Sequence, residues 1–353
     1  MAYTTIDNPG LFFNTVTYTG NGTTDHAITG VGFQPDWTWL KKRSNADDHI
    51  LQDVVRGPTK YIISNSNAVE GTYAEGFKSF DSDGFTLGNA NNTNQNTHTF
   101  AAWNWKAGES TSSNGDGTIT STVSVNSTSG FSIVSYAGTG VADKTVGHGL
   151  GATPAMIIIK NRVNDPEWRV WHQKLSGPTY KLRLNGTEAQ DSSATVFNGQ
   201  SATTFTVGTD PSVNGSGNNI IAYCFKEVKG YSKFGSYTGN GSTDGTFVYT
   251  GFKPAFVINK RIDSSTGGSW ILQDNKRGDN VRNPVDLSFS PTNNQSESDW
   301  GDTFDCDYLS NGFKWRMDGT AGYNNTSAAT YIYLAFAESP FVTAGTKAAG
   351  TAR

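Results

Sequence analysis

The chain has 353 residues, 35% of them hydrophobic and only 16% charged, with a formal net charge of −4. That length exceeds what one hydrophobic core usually serves, so two or three units are expected. The acidic balance supplies no basic field for phosphate, and no Lys/Arg cluster interleaves with aromatics, which argues against a nucleic-acid partner. No run of about 18 apolar residues occurs. Met1-Ala2-Tyr3-Thr4-Thr5 lacks the pattern of a secretory signal, so a soluble product of a cytoplasm without membrane insertion is expected. Forty glycines, with abundant Ser, Thr and Asn, favour strands and turns over helices, while 12% aromatic content supplies the apolar area that folding requires.

In chain order, the predicted elements recur as three copies of a unit of roughly 100 residues. A Tyr-x-Gly-x-Gly turn opens each: Tyr18-Thr19-Gly20-Asn21-Gly22, Tyr136-Ala137-Gly138-Thr139-Gly140 and Tyr237-Thr238-Gly239-Asn240-Gly241. A Pro then leads into an apolar strand ending in basic residues, from Pro35 to Arg43, Pro154 to Arg162 and Pro254 to Arg261. The three arginines mark strand ends and are expected to pair with Asp53 or Asp274 within a copy. A third block contains His49, Gln52 and Asp53, then Trp168, His172 and Gln173, then Trp270, Gln273 and Asp274. A turn with an alternating strand follows at Phe85, Phe205 and Phe313. Each copy closes on a strand apolar at almost every position: Phe100 to Trp105, Ile220 to Phe225 and Tyr331 to Phe336. Such strands are covered on both faces or lie at a contact between units.

These features predict an all-β chain of three tandem antiparallel β-sandwich domains, jelly-roll or lectin-like. The expected boundaries are 1–108, 131–229 and 230–342, with a linker carrying an extra strand at 109–130 and a flexible tail at 343–353.

Several strings, among them Thr5-Ile6-Asp7-Asn8-Pro9, Asp53-Val54-Val55-Arg56-Gly57, Trp103-Asn104-Trp105-Lys106-Ala107-Gly108, Gly147-His148-Gly149-Leu150-Gly151 and Ala335-Phe336-Ala337-Glu338-Ser339-Pro340-Phe341, carry a family resemblance. The chain resembles a repeat family of uncharacterised proteins of tailed phages, marine and cyanobacterial ones in particular, encoded among tail and other virion genes. The resemblance implies a non-enzymatic virion component, tail- or fibre-associated, at the particle surface. Its partners would be other virion proteins, further copies of itself as a trimer, and a host surface glycan. A head-surface decoration protein and a carbohydrate-binding module are the alternatives. The family brings no catalytic residue.

The residues themselves give no catalytic constellation and no cofactor fingerprint. His26, His49, His98, His148 and His172 lack partners at metal-ligand spacing, and Cys224 and Cys306 are expected as free thiols. Asp81-Ser82-Asp83-Gly84 reads as a hairpin turn and not as a calcium loop. One set remains as a candidate binding rim for a glycan or a partner: His49, Gln52, Asp53, Trp168, His172, Gln173, Trp270, Gln273 and Asp274. Aromatic rings beside amides and carboxylates are what sugar faces and hydroxyls are read by. The competing reading places the rings in the core and lets the polar groups hold turns.

Overall fold

Short β-branched and aromatic runs cut by Gly, Asn and Ser leave little room for helix, and in the computed structural model strands hold 44% of the chain and helices 3%. The structure describes residues 4–164, 166–277, 283, 285–298, 304–319 and 322–342. The predicted flexible tail lies outside them. The protein is all-β, with several antiparallel sheets.

One strand order occurs three times. In unit 1 the opening strand Phe13–Thr19 pairs with the closing strand Thr99–Trp105, which pairs with Trp37–Lys42, which pairs with Ile50–Asp53. Unit 2 uses Phe131–Ala137, Asn219–Phe225, Met156–Asn161 and Arg169–His172 in that order. Unit 3 uses Ser232–Thr238, Thr330–Pro340, Phe252–Arg261 and Trp270–Asp274. Each unit adds a three-stranded sheet: His26–Thr29, Gly84–Leu87 and Phe77–Asp81; Lys144–Gly147, Thr204–Val207 and Phe197–Gln200; Phe247–Tyr249, Gly312–Trp315 and Cys306–Leu309.

The registers agree too: Trp37, Met156 and Phe256 lie opposite Trp105, Phe225 and Phe336. Counting from those positions, Arg43 and Arg162 correspond to Ile262, and Arg261 corresponds to Lys42. The grouping of Arg261 with the other two arginines is therefore corrected by one residue.

The Tyr-x-Gly-x-Gly turns are held alike. A Cβ on Gly20, Gly138 or Gly239 would lie 2.2, 2.3 or 2.2 Å from a backbone carbonyl oxygen, so only glycine fits. A buried amide sits under each turn, Asn94, Asn214 or Asn325. Its Oδ1 accepts from the backbone N–H of Asn21, Thr139 or Asn240, and its Nδ2 donates to the carbonyl of Gly88, Gly208 or Met317. The turn tyrosines Tyr18, Tyr136 and Tyr237 donate to the carbonyls of Thr93, Val213 and Asn324 at 2.7, 2.7 and 2.8 Å.

The alternation of the closing strands decides where the core sits. In unit 3, Tyr331, Tyr333, Ala335 and Ala337 join an apolar layer with Phe313 and Trp315 of the small sheet, while Ile332, Leu334 and Phe336 face the other way. In unit 1, Ala102 belongs with the unit's small-sheet residues Phe77 and Phe85, whereas Ala101, Trp103 and Trp105 face away. The outward sets meet in one central cluster with Tyr223 and Phe225 of unit 2, whose own apolar layer is continuous with it. Both faces of these strands are thus covered, which is why they are apolar throughout. Aromatic rings from different units touch across the centre: Trp37 stacks on Tyr223 at 4.4 Å and Phe13 on Phe336 at 5.1 Å.

The 109–130 stretch supplies two strands. Ser112–Asn114 and Ser121–Asn126 extend the main sheet of unit 2. Between them Ile119 bridges to Val146, on the small sheet of the same unit.

Candidate functional site

Seven residues of the predicted rim, His49, Asp53, Trp168, His172, Gln173, Trp270 and Asp274, touch a neighbouring unit, whereas Gln273 bonds the Val285 and Phe304 carbonyls of its own unit. Eight of the nine are buried, Trp168 and Trp270 at 0% and 1% exposure, and only Gln173 is exposed. The rim expectation is corrected accordingly: apart from Gln173, these rings and polar groups are buried and offer no surface to a glycan. Their recurrence has a geometric cause, because the same junction is built three times in cyclic order.

Lysine ammonium groups show the cycle most plainly. Lys41, Lys160 and Lys260 occupy one position of the Pro-led strand and are all fully buried. Lys160 Nζ of unit 2 donates to the Asn67 carbonyl of unit 1 at 2.7 Å, and Lys260 Nζ of unit 3 to the Thr187 and Glu188 carbonyls of unit 2 at 3.1 and 2.9 Å. Lys41 Nζ of unit 1 donates to the Asn294 carbonyl of unit 3 at 3.4 Å, which closes the ring. Burial pulls the Lys41 ammonium down to about 8 and that of Lys260 to about 7.

The neighbouring position repeats the cycle. Trp168 Nε1 donates to the Ile63 carbonyl at 2.8 Å and Trp270 Nε1 to the Arg183 carbonyl at 2.7 Å. In unit 1 His49 stands in their place, its Nδ1 accepting from Trp39 Nε1 at 2.9 Å. An indole N–H only donates, so the His49 proton is on Nε2, turned toward Ser290 without a full hydrogen bond. Burial holds His49 well below the usual histidine range, and hence neutral.

Charges sit one turn further along. Asp53 pairs with Arg56 at 2.5 Å and Asp274 with Arg277 at 2.6 Å, all four side chains fully buried. Each Asp also accepts from the adjoining unit, Asp53 from the Tyr223 hydroxyl and Asp274 from Trp103 Nε1, both at 2.8 Å. Arg162 pairs with Glu70 and Arg43 with Glu297, each at 2.8 Å, across the same two junctions. The expected pairing of these arginines with Asp53 or Asp274 inside a copy is replaced by pairing between copies, and Arg261 pairs locally with Asp263. At the third junction His172 takes the Asp position, facing the Tyr333 carbonyl through Nε2 at 3.2 Å while Nδ1 accepts from Lys174 N–H at 3.1 Å. Burial lowers its pKa to about 3. Gln173 Nε2 donates to the Phe234 carbonyl at 2.7 Å, and Gln273 Nε2 to the Phe304 carbonyl at 2.7 Å. Gln52 is buried in the same sheet.

Sequence reasoning missed Lys41, Lys160 and Lys260, the Asp-x-x-Arg pairs, and the Asn hubs under the turns. A signal for the lysines was present: each stands four residues after Trp37, Met156 or Phe256. Chemically, the junction carboxylates and guanidiniums pair with one another, and the buried lysines donate to backbone carbonyls. Cys224 and Cys306 are buried free thiols, and burial raises both. Among the described residues no group of three or more His, Cys, Asp or Glu side chains is placed to hold a metal ion.

Fold and junctions together define an all-β repeat protein whose recurring polar residues join its own units into a ring. The chain belongs to the family described as "Domain of unknown function (DUF7483)", which matches residues 8–340. No curated protein and no solved structure matches it.

Proposed function

We propose that the chain is a non-enzymatic structural component of a tailed-bacteriophage particle, tail- or fibre-associated and exposed at the virion surface. Each unit is read as a β-sandwich domain with jelly-roll-like wrapping, since the first, last and third strands share one sheet and the second and penultimate strands the other. The observation that carries the functional reading is the closed ring of junctions. The repeated polar residues, which would be the first place to look for chemistry, are consumed in holding three units around one aromatic core. A rigid block of this kind suits assembly with other virion proteins and with copies of itself. The phage-like strings named above, such as Trp103 to Gly108 and Ala335 to Phe341, supply the particle context.

Mass spectrometry of purified virions from a phage encoding the chain tests this reading. The polypeptide is expected among the particle proteins, and cryo-EM of the same virions is expected to place it at the tail. Its absence from particles would end the proposal. Density on the head surface would replace the tail assignment by the decoration alternative.

A further inference from the structure

Unit 3 departs from its sister units at one place that leaves a hole. In unit 1 the His49 N–H donates to Asn65 Oδ1, and Asn65 Nδ2 donates to Asp48 at 2.7 Å. Unit 2 builds the same bridge, with Trp168 N–H on Asn185 Oδ1 and Asn185 Nδ2 on Glu167. In unit 3 the Trp270 N–H donates to Thr292 Oγ1 at 3.2 Å, and the acid position is Ser269. The next two positions on that face shrink as well. Ser288 replaces Tyr61 and Lys181, and Ser290 replaces Ile63 and Arg183, as the bridges Leu51 to Ile62, Val170 to Leu182 and Leu272 to Phe289 set the register. Four small hydroxyl residues therefore stand where the sisters carry long side chains. A cavity of about 150 Å³ lies there, lined by Ser269, Ser288 and Ser290 and by Asn293, Gln295 and Ser296.

The chemistry of the wall selects a ligand class. No charged side chain is among the described residues lining the cavity, so an ionic ligand would find no counter-charge there. Half-buried Ser269 and exposed Gln295 and Ser296 offer both donors and acceptors at the cavity rim. One wall is aromatic: Phe304 and half-buried Tyr323, ring centroids 5.5 Å apart. Hydroxyls and amides around an aromatic face match a neutral ring that carries hydroxyls on its edge and C–H groups on its face.

We propose that unit 3 binds one neutral sugar ring in this cavity, which opens at Ser269, the position of the bridging acid in units 1 and 2. The site adjoins the junction with unit 1 through Phe289 and Ser290, and it stands or falls independently of the virion assignment: a particle protein without sugar binding, or a sugar-binding protein absent from particles, would each be recognisable.

The test is saturation-transfer NMR on the full chain with the methyl glycosides of glucose, galactose, mannose and N-acetylglucosamine, each added alone. At least one is expected to receive saturation. Two double variants import the sister units' own side chains, Ser288→Tyr with Ser290→Ile, and Ser269→Asp with Thr292→Asn. Each is expected to lose the transfer while keeping the wild-type thermal transition, and Ser113→Tyr on an exposed strand is expected to change neither. No transfer to any of the four glycosides, or transfer that survives in a folded filled variant, would overturn the proposal.

Discussion

At the position of the buried acid, two junctions of the ring carry ion pairs and the third carries neutral groups. Where units 1 and 3 have Asp53 with Arg56 and Asp274 with Arg277, unit 2 has His172 with Leu175. Where Glu70 and Glu297 reach Arg162 and Arg43, Gln190 reaches Ile262 through its backbone N–H alone, at 2.9 Å. Leu334 stands opposite, in the register of Trp103 and Tyr223. The substitutions come as a set because a lone buried charge costs several kcal/mol, whereas removing both partners is close to neutral. The fold requires that these positions be filled and satisfied, and it does not require that they be charged.

The sharpest way to break this comparison is to remove one charge. Arg56→Leu leaves the buried Asp53 without its guanidinium, while Glu70 keeps Arg162, and is expected to lower stability by about 3–5 kcal/mol in urea unfolding. Importing the whole neutral set, Asp53→His, Arg56→Leu, Glu70→Gln and Arg162→Ile together, is expected to recover most of that loss. A quadruple variant as unstable as the single one would show that the charges are needed in themselves.

The buried lysines give a smaller effect, graded by their contacts. Lys260→Met strips a donor from the carbonyls of Thr187, Glu188 and Arg261, at a cost of about 2 kcal/mol. Lys41→Met is expected to cost less, since Lys41 reaches across its junction only at 3.4 Å. Equal losses in thermal unfolding would contradict that ranking.

Per pH unit, the smallest effect is the slope set by His172 at the third junction. His172 has a folded pKa of about 3, below its ordinary 6.5, so between those values the unfolded chain binds the extra proton. Its contribution is complete above pH about 6.5 and is lost as pH falls toward 3, at up to about 1.4 kcal/mol per pH unit. His172→Gln is expected to flatten the stability profile in that window, and an unchanged slope would place the titration elsewhere.

The repeat was legible in the sequence because its signals are local: the glycine turns, the Pro-led strands and the doubly apolar closing strands each announce themselves within a few residues. The free thiols and the extra strand before Phe131 were readable for the same reason. The rim reading went astray because burial is not local. Trp168 and Trp270 lie next to polar residues in the chain, yet their indoles point into another unit, at the carbonyls of Ile63 and Arg183. The candidate cavity was hidden for a different reason. Ser269, Ser288, Ser290 and Thr292 look like ordinary loop residues until the register shows which long side chains they replace.

The central claim is that three units share one core through a closed ring of junctions, and calorimetric unfolding of the full chain tests it most directly. The account predicts a single transition whose calorimetric enthalpy equals its van't Hoff enthalpy, and separate transitions for individual units would contradict it.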